Sequence, residues 1–304
     1  ALRLSGTIAD PIALHIAMLE RVARRASEFD LLHFHLDYMP FPIFSRQQTP
    51  FLTTLHGRLD LPEYQPVYDA FPHVPLVSIS NAQRTPLRNA HWVGTVHHGL
   101  PTDFLTVAEG RQSYLAFLGR ISPEKGPDRA IQIAAKTGIP LKIAAKVDKN
   151  DAQYFETVIR PMLGSADVEF IGEIGDKDKS AFLSGALGLL FPIDWPEPFG
   201  IVMIEAMACG TPVIAFNRGS VPEVIDHGLT GFIVEDVRGA VQAVDRLGHL
   251  SRPAIRRRFE RRFSAERMAR DYIEVYRRLI GARRLHDLRP QAFQSNGAGA
   301  ARTA

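Results

Sequence analysis

The chain has 304 residues, 45% of them hydrophobic and 23% charged, which allows two domains of ordinary size and excludes a disordered class. Its net charge of +3 is small but uneven, since residues 251–289 hold 13 arginines against 5 acids; a solvated helix face is the plain reading, and no zinc-finger or RNA-recognition pattern marks a nucleic-acid partner. One cysteine, Cys209, excludes an internal disulfide framework and predicts a cytoplasmic protein in which this thiol is a small buried residue.

Asp10 as N-cap and Pro11 at the first helical position predict a helix from Pro11 to Glu28, with Ile12, His15, Leu19, Val22 and Ala26 on its buried face. Short apolar runs follow at 31–35, 51–56, 76–80 and 93–98, spaced as strands of a parallel sheet covered on both faces. Residues 101–113 read as a linker. A second series then sets strands at 114–119, 141–145, 168–172, 187–191, 212–216 and 231–234. Helices separate them at 123–136, 151–160, 176–185, from about Gly200, and at 221–226. From Val237 to about Gly281 the pattern is helical, and Met268, Tyr272, Val275, Tyr276 and Leu279 form one apolar stripe opposite arginines. That stripe reads as packing surface, with a membrane-lying helix as the runner-up.

The stretch FPIDWPEPFGIVMIEAMACG (191–210) organises the rest. It reads as a strand end, a proline-punctuated loop and a helix carrying Ile201, Ile204, Met207 and Ala208 on its buried side. Glu197 and Glu205 flank the helix entry, roughly 10 Å apart at ~1.5 Å rise per residue. Between them the N–H groups of Phe199, Gly200 and Ile201 point out of the helix N-terminus, where the dipole favours an anion. Hydroxyls at both ends and phosphates between them describe a sugar–diphosphate–nucleoside. Upstream, Arg120 and Lys125 stand just past the strand ending at Gly119; a guanidinium fork and an ammonium together can neutralise a diphosphate.

The spacing Glu197-x7-Glu205 resembles the donor-binding motif of the retaining GT-B glycosyltransferases of family 4. The likeness continues through FLGRISPEKG (117–126), VEFIGEIGD (168–176), NRGSVPEVIDHGLTGFIV (217–234) and, more weakly, TLHG (54–57). It implies an α/β fold of two Rossmann-like domains with a C-terminal helix crossing back. The domains would be 1–108 on the acceptor side, 109–262 for the nucleotide sugar, and 263–281 as the crossing helix; 282–304 reads as a disordered tail. Measured against the family, the first domain lacks its opening strand and glycine-rich turn, so an N-terminally truncated chain is expected. The resemblance also implies hexosyl transfer from a UDP-, GDP- or ADP-sugar to an unknown saccharide, lipid or small-molecule acceptor, with retention of configuration, no cofactor and no obligatory metal. UDP-glucose is the commonest donor guess, and the basic C-terminal helix leaves room for contact with the inner face of the membrane.

Residue by residue, the resemblance gives Glu205 the ribose hydroxyls, Glu197 the sugar hydroxyls, and Arg120 and Lys125 the phosphates. Phe199, Gly200 and Ile201 would contribute backbone N–H groups, Glu173 and Ile174 would lie beside the base, and His56 would face the donor sugar. Glu223 is open between a sugar-facing role and an ordinary helix face. His33 and His35 share one strand face with Asp37 nearby, but no further ligand of suitable spacing follows, so a metal site is not expected. Ser80 and Arg84 read as capping and buttressing the next helix. Two competing functions remain: an epimerase or phosphorylase on the same architecture, and a truncated nucleotide-sugar-binding chain without turnover.

Overall fold

The computed structural model describes residues 8–164 and 167–287. Strands β1 (Leu32–Phe34), β2 (Phe51–Thr54), β3 (Leu76–Ser78) and β4 (Trp92–Thr95) form one parallel sheet in the order β1-β2-β3-β4. A second, larger parallel sheet has the order β10-β9-β8-β5-β6-β7. Its members are β5 (Tyr114–Arg120), β6 (Leu141–Lys146), β7 (Val168–Gly172), β8 (Ala186–Phe191), β9 (Val213–Phe216) and β10 (Gly231–Val234). The sequence-based bounds for β7 and β10 match; the others shift by one to three residues, as ends set by fraying ladders do.

The inner strands of this second sheet are short and mostly apolar because helices cover both faces, whereas the edge strand β7 alternates between half-buried and exposed positions. One core layer packs Ile131, Ile143 and Ile214 on one face, and the other packs Leu189, Met203 and Ile204 on the opposite face. The order reverses between β5 and β8, which opens a crevice at their carboxyl ends.

The first helix runs Pro11–Arg24, capped by Asp10, whose carboxylate accepts from the N–H of Ile12 at 2.9 Å and of Ala13 at 3.3 Å. Residues Ala26–Glu28 form a separate 3-10 turn. Leu19 and Ala26 are buried as expected, but Ile12 is 61% exposed. Ile12 lies about two turns before Leu19 on the same face, in an exposed first turn.

The final helix spans Ala265–Asp287, six residues beyond the expected end, so residues 282–287 are helical; the tail from 288 onward lies outside the described residues. Its apolar stripe does cross back: Tyr272 and Val275 pack with Leu52, Val77 and Val96 beneath the first sheet, flanked by Met268, Tyr276 and Leu279. The two sheets are tied where the chain passes between them. Leu100 donates its N–H to Phe263 O and accepts from Ala265 N, each at 2.9 Å, and Arg267 Nη2 reaches the carbonyls of His97 (2.8 Å) and His98 (2.9 Å).

Some arginines of this basic segment are engaged internally, whereas Arg257, Arg261, Arg270, Arg277 and Arg278 are exposed, as a solvated face requires. Arg256 donates to the carbonyls of Thr102, Leu105 and Ala208, and Arg258 and Arg262 both pair with Asp226. Among the described residues, no helix is long and apolar enough to cross a membrane. Cys209 is fully buried, and burial pushes its thiol up to about 11, which leaves it unreactive.

Candidate active site

The crevice between the sheets contains a cavity of about 270 Å³ at the carboxyl ends of β2, β4, β5 and β8. Its wall brings together His56, Gly119, Lys125, Glu197 and the Phe199–Ile201 segment from distant parts of the chain. Arg120, Glu173, Ile174 and Glu205 are not part of that wall.

The loop between β8 and the Ile201–Ala208 helix carries the central pair. Glu197 is only 8% exposed, and Lys125 Nζ donates a short hydrogen bond to its carboxylate. Trp195 Nε1 donates to the same oxygen at 2.9 Å, and its ring lies 4.9 Å from the ammonium, so the indole holds both members of the pair. Gly219 fixes the loop from behind: it adopts φ +53°, and a Cβ there would lie 2.4 Å from the backbone N and O of Glu197. Ser220 N also donates to Glu197 O at 3.0 Å.

Gly200 makes the turn into the helix at φ +77°. A Cβ would meet Met203 Cε at 2.8 Å and Phe191 Cζ at 2.9 Å, so Gly200→Ala is expected to destabilise the fold by about 1–3 kcal/mol. A thermal midpoint equal to that of the parent chain would remove the backbone argument. This turn also corrects the placement of Ile201: instead of facing the core it is 44% exposed and lines the cavity. The helix N-terminus opens at this point, with Met203 N–H already donated to Gly200 O at 3.0 Å.

Glu205 sits deeper, 7% exposed, with its carboxylate accepting from Lys179 Nζ at 2.8 Å. Burial alone would lower the Lys179 pKa; the pairs with Glu205 and with Asp176 at 3.0 Å outweigh it and hold it raised. The loop after β7, with Glu173 exposed and Ile174 packed on the core, leads directly into the helix that carries Lys179. Arg120 departs from the expected arrangement. Its guanidinium is exposed and faces three acids, Glu124 at 2.7 Å, Asp151 at 3.6 Å and Asp148 at 3.9 Å. Two of these come from the far end of β6, so sequence distance hid the competition.

Glu223 takes neither role considered for it. Its carboxylate accepts from Asn81 N (2.8 Å), Asn81 Nδ2 (3.0 Å) and Ala82 N (2.7 Å), bridging the domains at the start of the 3-10 helix Ala82–Leu87, with His97 Nε2 at 3.3 Å. Burial opposes its ionisation, but these donors together hold its pKa below the usual carboxylate value. Ser80 accepts from Gln83 N at 3.0 Å and Arg84 donates to Ser78 Oγ at 2.7 Å, so both serve this helix start as read.

Four imidazoles run along one side of the crevice. His33 and His35 lie with ring centroids 4.2 Å apart, His35 Nδ1 and His56 Nε2 share a hydrogen bond of 2.7 Å, and His98 stacks on His56 at 5.3 Å. His98, at the end of the apolar run 93–98, also lines the cavity. His33 is bound by Tyr276 OH and Thr54 Oγ1, each at 2.7 Å, and not arranged toward a metal. Desolvation pushes His33 down to about 3 and His98 to about 4, with neighbouring imidazoles adding to both. The same causes take His56 to about 4, although its ring is open to the crevice.

These groups are neutral when folded and would protonate near 6.5 when unfolded, so their contribution to stability is present above about pH 6.5 and is lost as pH falls toward 4. The thermal midpoint should hold between about pH 7 and 8 and decline below about 6.5. A midpoint at pH 5 equal to that at pH 7.5 would contradict it. The effect belongs mainly to His33 and His98, because solvent at His56 lowers its share.

Two Rossmann-like domains meeting over a crevice at their strand ends define the GT-B class of glycosyltransferase fold. Solved structures show the same architecture. Sucrose-phosphate synthase from Thermosynechococcus elongatus aligns with TM-score 0.73 at 20% identity, over 91% of this chain and 82% of that one. Anabaena HepE, solved with UDP and glucose, aligns with TM-score 0.69 at 17% identity, over 90% and 82%. Residues 104–262 match the family described as glycosyl transferases group 1, and the chain belongs to that family. A curated relative, the D-inositol 3-phosphate glycosyltransferase of Mycolicibacterium smegmatis, is 32% identical over 149 residues, 45% of this chain and 30% of that protein. The chain spans less than half the length of the curated relatives it matches.

Proposed function

We propose that the chain transfers a hexosyl unit from a nucleotide-diphosphate sugar to an acceptor hydroxyl with retention of anomeric configuration. The observation that carries this reading is the meeting of Lys125 and Glu197 beside the N-terminus of the Ile201–Ala208 helix. On this reading the donor diphosphate lies at the helix mouth, where first-turn N–H groups and Lys125 neutralise it. Glu197, released from Lys125, accepts hydrogen bonds from the sugar hydroxyls. Glu205, with Lys179 behind it, accepts from the ribose diol, and the Glu173–Ile174 loop lies nearest the base. Arg120 takes part only if it leaves its three acids.

In the reaction the bond between C1 and the phosphate oxygen breaks while the acceptor oxygen attacks from the same face. The acceptor proton passes to the departing phosphate, so the protein supplies no base. Lys125 and the helix dipole stabilise the charge on the leaving oxygen. His56, neutral at pH 7, stands where it can bond a sugar hydroxyl. HepE, solved with UDP and glucose, supports a UDP-sugar donor, and GDP- and ADP-sugars satisfy the same groups. The mycobacterial relative's name offers inositol 3-phosphate as one acceptor class.

The second reading is a chain that binds the donor without turning it over. Calorimetry with UDP, GDP, ADP and their glucose or mannose conjugates, run beside an NMR assay of the anomeric product, separates the two. Binding with a retained-anomer product supports transfer. Binding without product in any acceptor screen supports the second reading, and an inverted product overturns the front-face route.

A further inference from the structure

His56 lines the crevice cavity with its ring open to it. What that ring offers a ligand depends on its tautomer, because each nitrogen of a neutral imidazole is either an N–H donor or a lone-pair acceptor.

The neighbours restrict the choice. Nε2 of His56 is hydrogen-bonded to Nδ1 of His35 at 2.7 Å, and among the described residues no other hydrogen bond reaches the His56 ring. His98 lies parallel to it at 5.3 Å and so covers a face while leaving the edge with Nδ1 open. His35 in turn is backed by His33, whose ring centroid is 4.2 Å away. Both nitrogens of His33 are engaged, by Tyr276 OH and by Thr54 Oγ1, each at 2.7 Å, so His33 does not compete for His35 Nδ1. Tyr272 OH bonds the same Thr54 Oγ1 at 3.1 Å, and both tyrosines belong to the final helix, so the brace behind His35 is anchored in the apolar stripe beneath the first sheet.

A hydrogen bond between two neutral rings needs one donor. The Nε2–H form is the intrinsically commoner tautomer of a histidine side chain, and one arrangement lets both rings adopt it: His56 Nε2–H donates to His35 Nδ1, while His35, itself exposed, keeps its own hydrogen on Nε2. Burial, with His35 second, pushes His56 down to about 4, and burial lowers His35 as well, so neither ring carries a second proton at neutral pH.

We propose that His35 is a positioning residue that fixes His56 as its Nε2–H tautomer, so that His56 Nδ1 presents a lone pair to the donor sugar. The inference rests on the glycosyl-transfer reading and deepens it by giving one hydrogen bond its direction: a sugar O–H donates and the imidazole accepts. As the C1–phosphate bond breaks, the sugar gains positive character and its hydroxyls become stronger donors, so a lone pair gains in the transition state where an N–H would lose. His35 touches no reacting atom in this scheme and acts through His56.

The test is nitrogen–proton correlation NMR of the histidine rings in the 304-residue chain without ligand, beside kinetics and calorimetry with UDP. His56 should appear as Nε2–H. His35→Leu should mix its tautomers and lower kcat about tenfold, while donor KM and UDP affinity stay within about twofold. His35→Asn, whose side-chain oxygen stands near the place of Nδ1, should restore the Nε2–H signal and most of the rate. His35 is exposed, so both variants should keep the parent's thermal midpoint, which separates a lost tautomer from a lost fold. An Nδ1–H tautomer at His56 in the parent chain, or an unchanged tautomer in His35→Leu, overturns the assignment; a lost rate that His35→Asn does not recover overturns the positioning role. The spectrum is read without donor, so a chain that shows Nε2–H at His56 and yields no product counts against transfer alone.

Discussion

Replacing Lys125 with alanine is expected to lower kcat by about 10²–10³ while changing KM for the donor much less. The asymmetry follows from when the charge matters. The ammonium is paired with Glu197 and lies against the face of Trp195. On the proposed route its largest gain comes as the C1–phosphate bond breaks and negative charge grows on the leaving oxygen, and an interaction stronger in the transition state than in the ground state appears in kcat. The substitution also strands Glu197, 8% exposed, with Trp195 Nε1 as its remaining side-chain donor among the described residues. Lys125→Arg restores charge without the compact geometry and should recover only part of the rate. Rates within threefold of the parent chain for Lys125→Ala would remove this residue from the mechanism.

Glu205→Ala should weaken nucleoside diphosphates by about 10- to 100-fold, and by the same factor whether or not a sugar is attached. That sugar-independence would separate its proposed role from that of Glu197, since Glu205 lies outside the wall of the cavity that Glu197 lines. Lys179 would not be orphaned, because Asp176 remains at 3.0 Å, so the thermal midpoint without ligand should move little. Calorimetry with UDP, GDP and ADP alone is the measurement, and an unchanged dissociation constant for all three would sink the ribose assignment.

Most of the second domain was legible because its signals are local. β7 and β10 were bounded to the residue, and the apolar run of β8, the prolines after it and Gly200 marked the turn into the helix. What could not be read is what depends on pairing at a distance. Arg120 faces Asp148 and Asp151 across a strand, Glu223 bonds backbone groups more than 140 positions earlier, and His98 stacks on His56 from another strand end. Trp195 carried a local hint, lying two residues before Glu197, but its hold on the carboxylate depends on a loop conformation fixed by Gly219 from beyond β9. Ile201 was misplaced because helical periodicity assumes that the first turn is flanked by core, and here it opens on a crevice.

Among the described residues the backbone passes between the two sheets twice, and the passages at Leu100 and Ser264 lie lashed side by side. Such a lashing works as an axle: when two lobes swing about it, each atom travels in proportion to its distance from the pin. The imidazole at position 98 is two residues from that pin and shifts least, whereas the outer lips of the crevice sweep through the widest arc. Any opening that admits a bulky substrate therefore leaves the floor nearly still and lets the rim do the moving.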